Sequence, residues 1–157
     1  MDMLVNLYTM PTADVPKDVR IVRALPPERH KVLQWVEEHF SAGWREECAV
    51  ALSAQPATCL IAQKDGACIG FACYDATAKG YFGPIGVADE ARGSGVGRAL
   101  LIRCLEEMRS AGYGYAAIGW CNEAASFYSR AVGAIPIPGS EPEHTVYSRL
   151  TRFSKKD

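Results

Sequence analysis

The feature that most constrains this sequence is a glycine-rich segment that joins a strand-like apolar stretch to a long amphipathic stretch. Glycines stand at positions 93, 95 and 97, and the stretch that follows predicts a helix to about residue 110. The first N–H groups of a helix lack intrahelical acceptors, and the helix dipole adds positive charge there. The glycines leave this backbone open to a ligand. Because Arg92 and Arg98 flank the segment, the pattern predicts a cradle for a diphosphate.

Two other phosphate-binding motifs fit the segment less well. A P-loop requires a Lys directly after its last glycine, and no Lys occupies that place here. The dinucleotide-binding pattern GxGxxG, counted from Gly93, requires a glycine at position 98, where the chain has Arg98. The glycines follow GxGxG instead, which weakens both alternatives.

Hydrophobic periodicity predicts an α/β (α+β) fold in which helices flank a mixed sheet. Asp65 and Gly66 predict a hairpin turn between two strands. Pro84 lies inside a predicted strand, where it indicates either a plain irregularity at the sheet edge or a kink that splays the strand from the next and opens a slot. Strands are predicted at 19–22, 58–64, 68–74, 80–87, 113–120 and 145–150, and helices at 28–40, 44–53, about 96–110 and 123–132.

Length and composition limit the class of protein. The 157 residues predict a single domain, 1–157, with residues 1–17 as a loosely attached N-terminal segment. The net charge of -1 gives no basic excess for nucleic acid, and no apolar run approaches the ~20 residues of a membrane span. Six cysteines without CxxC spacing and three scattered histidines predict buried thiols and no metal site. We therefore expect a cytoplasmic monomer or homodimer without nucleic-acid or membrane partners.

The motif Arg92-x-x-Gly95-x-Gly97, with its preceding strand and following helix, resembles the GNAT superfamily of acyl-CoA-dependent N-acetyltransferases. The resemblance covers the chain from about residue 19 onward. It implies a mixed, mostly antiparallel sheet of about six to seven strands, about four flanking helices, and acetyl-CoA as co-substrate without a metal. In this superfamily the loop amides hold the CoA pyrophosphate, and the end of the preceding strand pairs with the pantetheine arm. The implied coenzyme-binding residues are Ile85, Gly86, Val87, Arg92, Gly93, Ser94, Gly95, Val96, Gly97, Arg98 and Asn122.

The resemblance also implies a general acid. Tyr128 matches a tyrosine that the superfamily often uses to protonate the leaving thiolate, and a phenol with a pKa of about 10 suits that role. An Asn seven residues earlier is common in the family, but here that position is Cys121. Asn122 either takes its place or caps the next helix. The Val87 N–H is the implied donor to the oxyanion. The general base stays open among Glu38, His39, Glu46, Glu47, Asp75 and a water-mediated path.

Together these features predict an acetyl-CoA-dependent N-acetyltransferase that transfers the acetyl group directly to a primary amine of a small molecule or peptide. A non-catalytic acyl-CoA-binding or sensor module of the same fold is the alternative, because neither strand beside the predicted slot carries a carboxylate. The acceptor pocket is expected between the early helices and the open strands. Its candidate aromatic lining is Trp35, Phe40, Trp44, Tyr74, Tyr81, Phe82 and Trp120.

Overall fold

A computed structural model of the chain describes residues 1–154. It contains one seven-stranded sheet and four α-helices. The strands are β1 (Met3–Asn6), β2 (Val19–Arg23), β3 (Cys59–Lys64), β4 (Ala67–Tyr74), β5 (Tyr81–Val87), β6 (Tyr115–Ile118) and β7 (Ile135–Pro136). The helices are α1 (Arg29–His39), α2 (Ala42–Ser53), α3 (Val96–Ser110) and α4 (Ala125–Val132). Within the described part of the chain, no helix has the length and apolar character needed to cross a membrane.

The sheet is mixed and mostly antiparallel, which confirms the predicted fold class. Its strand order is β2-β3-β4-β5-β6-β1-β7, and β5 and β6 form its parallel pair. Asp65 and Gly66 join β3 to β4 with φ angles of 51° and 76°. A type I′ turn requires positive φ at both positions, so the predicted hairpin is confirmed.

Strands β5 and β6 stay together for only two residue pairs. Tyr81 faces Ala117 and Phe82 faces Ile118, and no pairing continues beyond them. Pro84 lies two residues after Phe82 in β5 and has no N–H to donate to a neighbour. The predicted slot between the two strands is therefore present, and it places an open main-chain edge of β5 in the middle of the sheet.

Helices cover both faces of the sheet. The apolar side of α3, including Leu100, Leu101 and Leu105, shares one buried cluster with residues of α4. The helices α1 and α2 contribute Val36 and Cys48 to a second cluster under the other face. Burial of such side chains contributes roughly 1.5–3 kcal/mol each. This packing fixes the first turn of α3 beside the end of β5.

The prediction that residues 1–17 are loosely attached is wrong for Met3–Asn6, which form β1. Met3, Val5 and Leu7 are buried, and β1 lies between β6 and β7 in the sheet. The apolar run is too short to predict a strand by itself. Its conformation comes from long-range pairing with β6, which local sequence does not encode.

The predicted strand at 145–150 is also wrong. Two short 3-10 helices, Pro142–His144 and Val146–Arg149, occupy this region. The Thr145 hydroxyl donates to the Pro142 carbonyl, and the Ser148 hydroxyl donates to the Thr145 carbonyl. Local bonds of this kind compete with pairing in a sheet. The segment instead brings Tyr147 to the slot between β5 and β6.

Buried thiols and phenols make the stability of the fold sensitive to alkaline pH. Burial raises the pKa of Cys104 and of Tyr128 well above their ordinary values. In the unfolded chain a thiol ionises near about pH 8.5 and a phenol near about pH 10, so the unfolded state binds fewer protons than the folded state. We expect the free energy of unfolding to fall above about pH 8.5. The slope is ~1.4 kcal/mol per pH unit for each proton that the folded state keeps and the unfolded state has lost.

Urea unfolding at a series of alkaline pH values measures this slope. Tyr128→Phe should flatten the slope only above about pH 10, whereas Cys104→Ala should flatten it from about pH 8.5. Equal slopes for the wild type and both variants would contradict the assignment of these two groups.

Candidate active site

A cleft of about 1080 Å³ opens where β5 and β6 separate. Its size suits a coenzyme-sized ligand. One end is formed by the loop before α3, the middle by the open edge of β5, and the other end by aromatic side chains from several elements. The lining residues are Phe40, Trp44, Phe82, Gly83, Pro84, Ile85, Gly86, Val87, Ala91, Arg92, Gly93, Gly95, Gly97, Arg98, Ile118, Gly119, Trp120, Ala124, Phe127, Tyr128, Tyr147 and Leu150.

The loop before α3 has the geometry of an anion cradle. Gly93 and Gly95 adopt φ angles of 77° and 89°, which a side chain would strain. Gly95 is the N-cap of α3 and supplies no side-chain acceptor. The amides of residues 93–98 donate to no acceptor among the described residues. Gly93, Gly95, Gly97 and Arg98 line one end of the cleft, at the positive end of the α3 dipole.

The guanidinium groups of Arg92 and Arg98 differ in whether they already have a hydrogen-bond or ion-pair partner. Arg92 is 64% exposed, forms an ion pair with Asp89 at 3.4 Å, and donates from Nε to the Val87 carbonyl at 3.4 Å. Arg98 is half-buried in the first turn of α3 and has no hydrogen-bond or ion-pair partner within the described residues. Its guanidinium is therefore the more available of the two for a phosphate.

The edge of β5 provides the middle of the cleft. Ile85, Gly86 and Val87 pair with β4 on one side, and among the described residues these three have no strand partner on the other side. Such an edge can hydrogen-bond an extended ligand as if it were a further strand. A Cβ on Gly86 would lie 2.8 Å from Cε1 of Phe40, so glycine is required for Phe40 to form the wall here. The three predicted residues thus form one continuous surface with the cradle.

Tyr128 lies on α4 at the far end of the cleft. It is 7% exposed, and its ring packs edge-on against Phe82 at 6.2 Å between centroids. The hydroxyl has no hydrogen-bond partner among the described residues. Burial, followed by the neighbouring Cys121 and Tyr147, raises the pKa of Tyr128. The phenol therefore stays protonated at neutral pH and is free to donate to a ligand.

Three other predicted residues lie away from the open cleft surface. The Ser94 hydroxyl donates to the Ala91 carbonyl, and Val96 is buried in the core, so only their main-chain groups face the cradle. The Asn122 side chain accepts from the Met1 amino group at 2.8 Å and does not line the cleft. It also makes no capping bond to α4, whose N-cap is Ala124.

Four of the five base candidates are engaged elsewhere. Glu38 accepts from Gln34, and Glu46 pairs with Arg45 in solvent. His39 stacks on Trp35 and contacts its carbonyl. Asp75 accepts from the Gly80 amide at 2.8 Å and from the Tyr113 hydroxyl at 2.9 Å, which holds the β4–β5 loop.

The fifth candidate, Glu47, connects to the cleft through a residue that the sequence does not single out. Tyr147 lines the cleft, and its hydroxyl donates to Glu47 Oε1 at 2.8 Å. The Thr77 hydroxyl donates to the same oxygen at 2.7 Å. Only the fold of the C-terminal segment brings Tyr147 to α2, and no local pattern predicts this contact.

The acceptor end of the cleft is mostly aromatic. Of the predicted lining residues, Phe40, Trp44, Phe82 and Trp120 face the cleft, while Trp35, Tyr74 and Tyr81 do not line it. Trp120 is 51% exposed and Leu150 is 74% exposed, so the mouth is apolar. This end favours a ligand with an apolar body.

Three cysteines form the one group of ligating side chains with metal-like spacing among the described residues. Cys48, Cys59 and Cys73 lie with their Sγ atoms within 4.8 Å of one another. All three are fully buried on the α1–α2 side of the sheet, and none lines the cleft. Burial raises the pKa of Cys73 far above its usual range. We interpret these thiols as packing residues.

Comparisons with known proteins agree with this geometry. A model of the acetyltransferase (GNAT) family matches residues 27–134. The fold is similar to a GCN5-related N-acetyltransferase from Sphaerobacter thermophilus, with a TM-score of 0.67 and 23% identity over 85% of this chain and 47% of that one. It is also similar to one from Kribbella flavida, with a TM-score of 0.65 and 17% identity over 86% and 53%.

A third similar structure is N-acetylglutamate synthase from Neisseria gonorrhoeae in complex with coenzyme A and N-acetyl-glutamate. Its TM-score is 0.51, with 21% identity over 71% of this chain and 27% of that one. The chain spans about half or less of the length of these structures. No curated protein matches the chain in sequence. Because the family model covers more than half of the chain, the chain belongs to the GNAT family of acetyltransferases, whose general activity is acetyl-CoA-dependent N-acetyl transfer.

Proposed function

We propose that this chain transfers an acetyl group directly from acetyl-CoA to the primary amine of a small molecule or peptide with an apolar body. One observation carries the proposal: a single cleft is lined by the cradle, the open edge of β5 and Tyr128. The diphosphate would lie on the amides of residues 93–98 and on Arg98. The pantetheine arm would pair with Ile85 to Val87, which directs the thioester towards Tyr128.

The composition of the cleft supports direct transfer rather than an acyl-enzyme intermediate. Among the described lining residues there is no cysteine, serine, lysine or histidine that could accept the acetyl group. The amine must therefore attack the thioester carbon itself. Initial-rate kinetics would then show a ternary complex and no exchange of label between acetyl-CoA and CoA without an amine.

The chain's own residues can serve each step of that attack. The Val87 N–H is the proposed donor to the oxyanion of the tetrahedral intermediate. As the C–S bond breaks, Tyr128 gives its proton to the departing sulfur and regains one from the nitrogen. None of these steps calls for a metal, because a thioester is already an activated acyl group. The proposed setting is cytoplasmic, which suits six free thiols.

Release of free thiol from acetyl-CoA with a panel of amines tests the proposal. We expect thiol release that depends on both protein and amine, with an arylalkylamine giving a lower KM than a polyamine. The apolar mouth at Trp120 and Leu150 is the reason for this order. Tight CoA binding without turnover on any amine would favour the non-catalytic module instead.

A further inference from the structure

The contact between Tyr147 and Glu47 joins a cleft-lining side chain to the carboxylate of a base candidate. Tyr147 is half-buried, and its hydroxyl lies 2.8 Å from Glu47 Oε1. The Thr77 hydroxyl donates to the same Glu47 oxygen and lies 3.4 Å from the Tyr147 hydroxyl, so the three groups form one hydrogen-bonded cluster. Tyr147 also lies near enough to Tyr128 to affect its pKa. The two phenols therefore belong to the same end of the cleft.

We propose that Tyr147 and Glu47 form the relay that removes the proton from the attacking ammonium, a step that rests on the proposed function. The ammonium N–H donates to Tyr147 Oη, while the Tyr147 proton passes to Glu47 Oε1. The nitrogen lone pair then attacks the thioester carbon, and Glu47 later releases its proton to solvent. One proton leaves the amine and one reaches the carboxylate, so charge and atoms balance. Tyr147 touches the substrate and is a catalytic residue; Glu47 acts through it.

The groups around Tyr147 suit this role. Burial, followed by its bond to Glu47, raises the pKa of Tyr147 to about 12, so the phenol passes a proton on rather than staying ionised. Asp2 is the other carboxylate nearby, but its two oxygens accept from the Trp120 amide and the Tyr81 hydroxyl. The titratable and charged groups that face this end are Glu47 from α2, Asp2 before β1, Tyr81 from β5, Tyr128 from α4 and Arg149 from the C-terminal 3-10 helix.

The relay also goes beyond what the family match covers. That match ends at residue 134, and Tyr147 lies after it. Among the described residues, Glu47 is the one base candidate that accepts a hydrogen bond from a cleft-lining side chain. The assignment therefore depends on the particular course of the C-terminal segment in this chain.

The test compares two acceptors that differ in basicity. An alkylamine is protonated at neutral pH, whereas O-methylhydroxylamine is neutral and needs no base before attack. We expect Glu47→Gln and Tyr147→Phe each to lower kcat/KM for the alkylamine on the order of a hundredfold. Both variants should use O-methylhydroxylamine nearly as well as the wild type. The double variant should lose no more than either single one, because the two residues act in one path.

Glu46→Gln is the matched control, since Glu46 neighbours Glu47 on α2 but faces solvent. It should behave as the wild type with both amines. Equal losses with both acceptors would show a structural role for Tyr147 and Glu47 and overturn the relay, as would additive losses or no loss. Both substitutions nearly preserve shape, and unchanged CoA affinity reports correct folding. A wild type that turns over neither amine overturns the proposed function itself, and the relay with it.

Discussion

Replacing Gly97 with Asp is expected to abolish CoA binding while leaving the fold intact or slightly more stable. Gly97 lies in the first turn of α3, and a Cβ there would meet only Val87 Cγ2 at 3.5 Å and Phe127 Cζ at 3.9 Å. A carboxylate in the first turn of a helix is favourable by about 0.3–1 kcal/mol. Next to a diphosphate, however, it repels: two like charges 4 Å apart cost about 4 kcal/mol at an effective dielectric constant of 20.

This repulsion predicts that the Kd of CoA rises roughly a thousandfold in Gly97→Asp. Titration calorimetry measures the Kd, and urea unfolding measures the stability. Gly97→Asn is the control, because it has nearly the same shape without the charge and should lose much less affinity. Acetyl-pantetheine, which has no phosphate, should be used about equally by the wild type and both variants. If CoA binds Gly97→Asp as tightly as the wild type, the diphosphate does not lie in this cradle.

The parts of the fold that sequence reasoning predicts are those with local physical signals. The glycine pattern, the two flanking arginines and the period of α3 define the cradle without long-range information. The Asp65-Gly66 turn and the kink at Pro84 are equally local, because each depends on the backbone freedom of one or two residues. These features are sufficient to predict the cradle end and the middle of the cleft.

The parts that sequence reasoning misses depend on pairing between distant segments. Met3–Asn6 becomes an interior strand of the sheet only because β6 and β7 lie on either side of it. Tyr147 lies in a stretch that is predicted to be a strand, but hydrogen bonds from the Thr145 and Ser148 hydroxyls turn the chain locally. The contact with Glu47 joins residues 100 positions apart. No sequence signal near either residue predicts this contact, so the acceptor end of the cleft could not be predicted from the sequence.

Tyr128→Phe is the second change with a large expected effect. If Tyr128 protonates the departing sulfur, its removal should lower kcat roughly a thousandfold, within the range for general acid catalysis. CoA affinity should not change, because the hydroxyl has no partner among the described residues to leave unpaired. The burial that raises the pKa of Tyr128 also makes a thiolate released beside it more basic, so the proton transfer stays feasible. Single-turnover acetyl transfer and CoA titration measure the two quantities separately.

A donor with a better leaving group separates the acid role from a packing role. In the selenium analogue of acetyl-CoA the departing selenolate is far less basic than a thiolate, so it needs little protonation. The defect of Tyr128→Phe should shrink strongly with this donor if the phenol acts as the acid. A ring that only packs against Phe82 would give the same defect with both donors, or none with either. Because phenylalanine preserves that packing, an unchanged kcat with acetyl-CoA would remove Tyr128 from the reaction and leave the departing thiolate to be protonated by solvent.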